Sequence, residues 1–103
     1  MSYEEALAVL ADPMRRRILE ELRQEPMPVG ELARRLPVSR PAVSRHLRVL
    51  RSAALVRHEA RGTSNVYRVD RDGLRELRAW VDAWWDEPLD RFAAHVEETT
   101  REH

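Results

Sequence analysis

The chain is 103 residues long, 43% hydrophobic and 35% charged, which suits one domain, 1–103, with a modest core rather than two. It has no cysteine, which excludes disulfides, cysteine-ligated zinc and a thiol nucleophile, and no apolar run of about 18 residues that would span a membrane. The net charge is zero, yet residues 1–68 carry thirteen arginines against eight acids and residues 69–103 five against ten, the asymmetry of a chain with one surface made for a polyanion.

Met1-Ser2-Tyr3-Glu4-Glu5 is acidic and leads into no apolar stretch, so no signal peptide is expected and the expected location is cytoplasmic. Ser2 to Glu5 has the form of a capping box. Tyr3, Ala6, Leu7 and Leu10 follow at helical spacing, predicting a first helix over 2–11. Asp12-Pro13 is an N-cap followed by proline at the first helical position. The helix it opens carries Met14, Ile18, Leu19 and Leu22 on one face and stops before Pro26-Met27-Pro28. Arg15, Arg16 and Arg17 crowd its first turn, where the helix dipole disfavours cations. They are expected to touch flanking phosphates or to pair with Glu20 and Glu21, and pairing is the preferred reading for Arg17.

Val29, Leu32, Ala33 and Leu36 mark a brief third helix, closed by Pro37. Ser39 can cap a fourth over 39–54, with Pro41 tolerated in its first turn. Val43, Leu47, Leu50 and Ala54 form its buried stripe. The opposite face shows Arg40, Ser44, Arg45, Arg48 and Arg51. Leu55–Ala60 and Val66–Val69 read as two strands, joined by Arg61-Gly62-Thr63-Ser64-Asn65 into a hairpin with a basic tip. Asp70 then caps a helical stretch over 70–100, with a stripe of Leu74, Leu77, Val81, Trp84 or Trp85, Phe92 and Val96 and a kink or break at Pro88.

The informative unit is helix, turn, helix and hairpin over 29–69. A helix entering the major groove must offer donors to base edges and phosphates on one face and an apolar face to its scaffold on the other. Residues 39–54 meet both conditions. Arg40, Ser44 and Arg45 are the expected base readers and Arg48 a phosphate contact.

The same residues carry a family resemblance. Asp12-Pro13-Met14-Arg15-Arg16-Arg17-Ile18-Leu19 resembles the D-P-x-R-x-x-I-L opening of the ArsR/SmtB-type winged-helix regulators. The run from Val38 to Leu50 is similar to their recognition helix almost residue for residue. Ala53-Ala54-Leu55-Val56 resembles the A-G-L-V that follows, with Ala54 where the family has glycine. The resemblance covers about residues 5–85, and the tryptophan-bearing tail resembles a subset lacking the metal-binding cysteines. It implies a mainly α, winged helix-turn-helix fold in which four helices, a small β-hairpin and a long C-terminal dimerisation helix succeed one another. Ser39, Arg40, Pro41, Ser44, Arg45 and His46 match the family's DNA-reading segment. Arg61, Thr63 and Asn65 match its wing. His46 is equally readable as a packing or capping group.

The resemblance also implies a homodimer formed by the first and last helices. Tyr3, Leu7, Leu77, Val81, Trp84, Trp85, Phe92 and Val96 are the expected interface. Trp80, Trp84 and Trp85 crowd six positions in acidic surroundings, which favours an aromatic seam over nucleotide stacking. The family's cysteine site falls on Glu31, Leu32 and Ala33 and is absent. Its second site, D-x-H-x₁₀-H-x-x-E, is matched by Asp82, His95 and Glu98 with Trp84 in the first histidine's place. Three ligands with a single histidine make a poor zinc site, so no metal or other cofactor is expected.

The leading expectation is a sequence-specific regulator, a repressor, that binds an inverted repeat in double-stranded DNA as a homodimer. A non-specific DNA-packaging protein and a protein-interaction module remain as alternatives. An enzyme is not expected, since three glycines supply no phosphate loop and no paired His/acid site is apparent.

Overall fold

The computed structural model describes residues 3–84. Five helices and three short strands follow in the order α1 (Tyr3–Leu10), α2 (Pro13–Gln24), β1 (Met27–Pro28), α3 (Val29–Arg35), α4 (Arg40–Ser52), β2 (Val56–Arg61), β3 (Ser64–Val69) and α5 (Arg71–Trp84). This is the winged helix-turn-helix arrangement. The second half of the helix expected over 70–100 lies outside the described residues.

Local chemistry sets the boundaries. The Asp12 carboxylate accepts hydrogen bonds from the amides of Met14 at 2.8 Å and Arg15 at 3.2 Å, satisfying two donors that the start of α2 leaves unpaired. The Arg15 amide foremost, and then that of Met14, holds the Asp12 carboxyl below the usual carboxylate range. Ser39 Oγ accepts from the Ala42 amide at 3.3 Å and caps α4. Asp70 does the same for α5 through the Gly73 amide at 3.1 Å.

The far end of α4 turns in an unusual residue. Ala54 adopts φ 56°; its amide donates to the Arg51 carbonyl, and the Leu55 amide to the Leu50 carbonyl, each at 3.0 Å. These paired bonds make a Schellman motif, which places a left-handed residue just past the helix and usually employs glycine. Because the helix stops at Ser52, the predicted stripe is corrected at its end: Ala53 is buried and Ala54 exposed. Gly73 of α5 abuts this turn so closely that a Cβ there would lie 1.6 Å from the Ala54 carbonyl oxygen.

The sheet also differs from the expected two-stranded hairpin. Its order is β1-β3-β2, all antiparallel, with Met27 opposite Tyr67 and Pro28 opposite Val66. A strand of two residues, one of them a proline and preceded by another, leaves no alternating pattern to read, and Pro28 is tolerated because β1 is an edge strand. The hairpin turn is tighter than expected. Arg61 pairs with Ser64, leaving Gly62-Thr63 as the turn, with φ 61° at Gly62. Glycine at the first of two turn residues is what a type II′ hairpin requires. Arg61 and Asn65 are therefore strand residues rather than tip residues.

One apolar cluster holds these elements together. Ile18 and Leu22 of α2, Leu32 of α3, Val43, Leu47 and Leu50 of α4, and Leu55 and Val56 at the start of the hairpin all lie in it, with Leu77 of α5 and Ala6 of α1. Burial of each large side chain stabilises the fold by about 1.5–3 kcal/mol. Since α4 contributes three fully buried residues, its opposite face is held rigidly toward solvent.

Candidate nucleic-acid interface

That outward face carries the predicted reading residues. Ser39, Arg40, Pro41, Arg45 and Arg48 are exposed, while Ser44 and His46 are half-buried. Arg40, Arg45, Arg48 and Arg51 form no ion pair among the described residues. Arginines elsewhere contrast with them. Arg35 meets Glu31 at 3.2 Å, Glu21 at 3.3 Å and Glu25 at 3.2 Å, and Glu31 foremost, with Glu21, raises its already high pKa. Arg34 meets Glu31 at 2.7 Å and Arg23 meets Glu20 at 3.0 Å. The face of α4 thus keeps its cationic donors free.

The wing comes up to the N-terminal end of this helix. Arg40 of α4, Arg34 and Gly30 of α3, and Thr63 and Asn65 of the hairpin line one cleft of about 350 Å³. Thr63 and Asn65 are exposed there. Arg61 is placed differently: it sits 3.6 Å from Glu59, which also holds Arg68 at 2.6 Å. With the Arg61 side chain 65% exposed, that pair is worth little, and a phosphate could displace the glutamate.

His46 is tied inward. Its Nδ1 accepts a hydrogen bond from Arg15 Nε at 3.4 Å, which joins α4 to the start of α2 and leaves Nε2 to carry the proton of the neutral ring. The arginines at the start of α2 find unexpected partners. Arg15 Nη1 donates to the Val9 carbonyl at 3.3 Å, and Arg16 Nη1 to the carbonyls of Leu10 at 2.9 Å and Ala11 at 3.3 Å. They serve the negative end of α1, where cations are favourable. Arg17, expected to pair with Glu20 or Glu21, pairs with neither; those glutamates are held by Arg23 and Arg35.

A second feature lies on the α1 and α5 side. Tyr3 stacks on Trp80 with ring centroids 5.5 Å apart, and Trp80 meets Trp84 edge-on at 5.6 Å. Tyr3, Leu7 and Trp84 remain exposed, at 38%, 41% and 57%. Val81 is half-buried against the core, and Leu77 is buried within the protomer's own core; the expectation that Leu77 lines an interface is corrected, because α5 turns that position toward the body of its own chain. Trp85, Phe92 and Val96 lie outside the described residues, as do His95 and Glu98 of the partial metal motif. Asp82 lies 3.5 Å from Arg78.

Residues 10–59 match the family model of a helix-turn-helix domain. An HTH-type transcriptional regulator of Mycobacterium tuberculosis is 48% identical over 96 residues, spanning 93% of this chain and 90% of that protein. An ArsR-like transcriptional regulator from Rhodococcus superposes with a TM-score of 0.81 at 30% identity, covering 94% of this chain and 91% of the other. The homodimeric winged helix-turn-helix DNA-binding domain of a possible ArsR-family regulator from Mycobacterium bovis superposes with a TM-score of 0.67 at 28% identity, over 82% of this chain and 78% of the other.

Proposed function

This chain belongs to the ArsR/SmtB family of winged-helix transcriptional regulators, and we propose that it acts as a homodimeric repressor at an inverted-repeat operator. The observation that carries the reading is the outward face of α4, where arginines stand without acidic partners among the described residues while a rigid apolar face anchors the helix. Arg40, Ser44 and Arg45 read base edges in the major groove, and Arg48 takes a phosphate. Ser39, Pro41 and His46 fix the register of the helix start, with the wing residues Arg61, Thr63 and Asn65 on the adjacent backbone or minor groove.

The homodimer rests on the exposed apolar residues of α1 and α5. A solvated Trp84 beside Tyr3 and Leu7 is the kind of aromatic patch that a second copy buries. Two recognition helices would then enter successive major grooves about 34–36 Å apart, and a dimer seated across a promoter would exclude polymerase by occupancy. The protein would work in the cytoplasm beside its operator; among the described residues no helix is long and apolar enough to cross a membrane.

Hydroxyl-radical footprinting on the bound operator tests the arrangement. Two protected patches with centres about one helical turn, roughly 10–10.5 base pairs, apart are expected. A single protected patch would exclude the two-helix geometry.

A further inference from the structure

At the end of α4 away from the Arg40 cleft, a second basic cleft opens at the foot of the wing. Its volume is about 560 Å³, and Arg48 and Arg51 of α4, Arg57 and His58 of β2, and Asp70 line it. None of the three arginines makes a side-chain hydrogen bond or ion pair among the described residues. The carboxylate of Asp70 is engaged with the Gly73 amide. Three guanidinium groups thus share one opening with a single carboxylate, an arrangement that favours uptake of an anion through charge-assisted, forked hydrogen bonds.

His58 adds a ring donor. Its ring stacks on Tyr67 with centroids 5.2 Å apart, and its Nδ1 is buried without a hydrogen-bond partner. A buried ring nitrogen with no acceptor is better left unprotonated, which puts the proton on Nε2.

We propose that this cleft is a phosphate-binding site in which Arg51 and Arg57, from helix and strand, grip the phosphate oxygens with Arg48 and His58 beside them. The phosphate has two possible sources, the DNA backbone and a free phosphorylated small molecule. Arg40, Ser44, Arg48 and Arg51 recur at steps of four, four and three residues, so the cleft continues the side of α4 that faces the groove. The DNA source therefore rests on the function proposed above; the phosphate chemistry itself does not.

Inorganic phosphate is titrated at constant ionic strength, with chloride as control, while the amide resonances of Arg51, Arg57 and His58 are followed by NMR in the full chain. In parallel, DNA affinity is measured across a salt series for the wild type and for Arg51→Gln and Arg57→Gln, exposed positions whose folding is checked by circular dichroism. A backbone phosphate in the site predicts that each variant, present in both protomers of the dimer, flattens the slope of log K against log salt by about 1.8, that is about 0.9 per cleft, equally on operator and scrambled duplex. A free phosphate compound predicts saturable shifts with phosphate, lost in the variants, with unchanged salt slopes. Absence of both effects overturns the site. If the wild type binds no DNA, the titration alone decides, so failure of the regulatory reading and failure of this site are told apart.

Discussion

Arg45 and Arg35 are the same residue type on neighbouring helices, and their surroundings give them opposite work. Arg35 is held by three glutamates and ties α2 to α3, whereas Arg45 is exposed on α4 and makes no ion pair among the described residues. In the proposed complex, Arg45→Ala is expected to weaken operator binding by about 1–3 kcal/mol per half-site and to relax the preference at one base pair in each half-site. Competition with single-base operator variants reads this directly; an equal loss on operator and scrambled DNA would make Arg45 a phosphate contact instead. The candidate reading face was legible in the sequence because an apolar stripe at helical spacing fixes which side of α4 faces out. The partners of the other arginines were not, since they depend on how elements cross. Arg16 meets carbonyls at the end of α1, and Arg15 reaches His46, 31 residues away in sequence.

At the scale of elements, the most informative junction is where α4 ends and α5 begins. The resemblance already marked Ala54 as an alanine in a glycine position, and its φ of 56° gives the departure a physical cost. Left-handed backbone costs an alanine about 1–2 kcal/mol, part of which glycine gives back through its greater unfolded-state entropy. Ala54→Gly is expected to stabilise the fold by a net of about 0.5–1 kcal/mol, read as a higher urea midpoint at unchanged slope. Gly73→Ala must do the reverse, by about 1–3 kcal/mol or more, because its new methyl group would collide with the Ala54 carbonyl. A neutral result for Gly73→Ala would mean that α5 does not seat against this turn. The helices and the hairpin were readable because caps and periodicity are local signals, with Asp12, Ser39 and Asp70 capping as their positions foretold. β1 was not readable, because two residues acquire strand geometry only from the Tyr67 and Val66 positions they pair with.

At the scale of the whole molecule, charge is divided along the sequence: α4 and the wing lie in the arginine-rich first 68 residues, and the acidic excess falls in residues 69–103. In the proposed complex the basic part supplies the field that steers the protein onto DNA. The apolar patch of Tyr3, Leu7 and Trp84 lies on α1 and α5. Leu7→Asp and Trp84→Asp, both at exposed positions, are expected to yield a folded monomer by sedimentation and to lose the affinity gained by linking two half-sites; persistence of the dimer would place the interface elsewhere. Specific DNA recognition by the dimer is read out by fluorescence anisotropy on the DNA upstream of the protein's own gene, across a salt series and against a scrambled duplex. Binding at two protomers per site is expected, with a preference of at least about 10³ over the scrambled duplex and affinity that falls steeply with salt. Equal affinity for both duplexes there and for every fragment in a genome-wide selection, or no binding even at low salt, would contradict specific recognition.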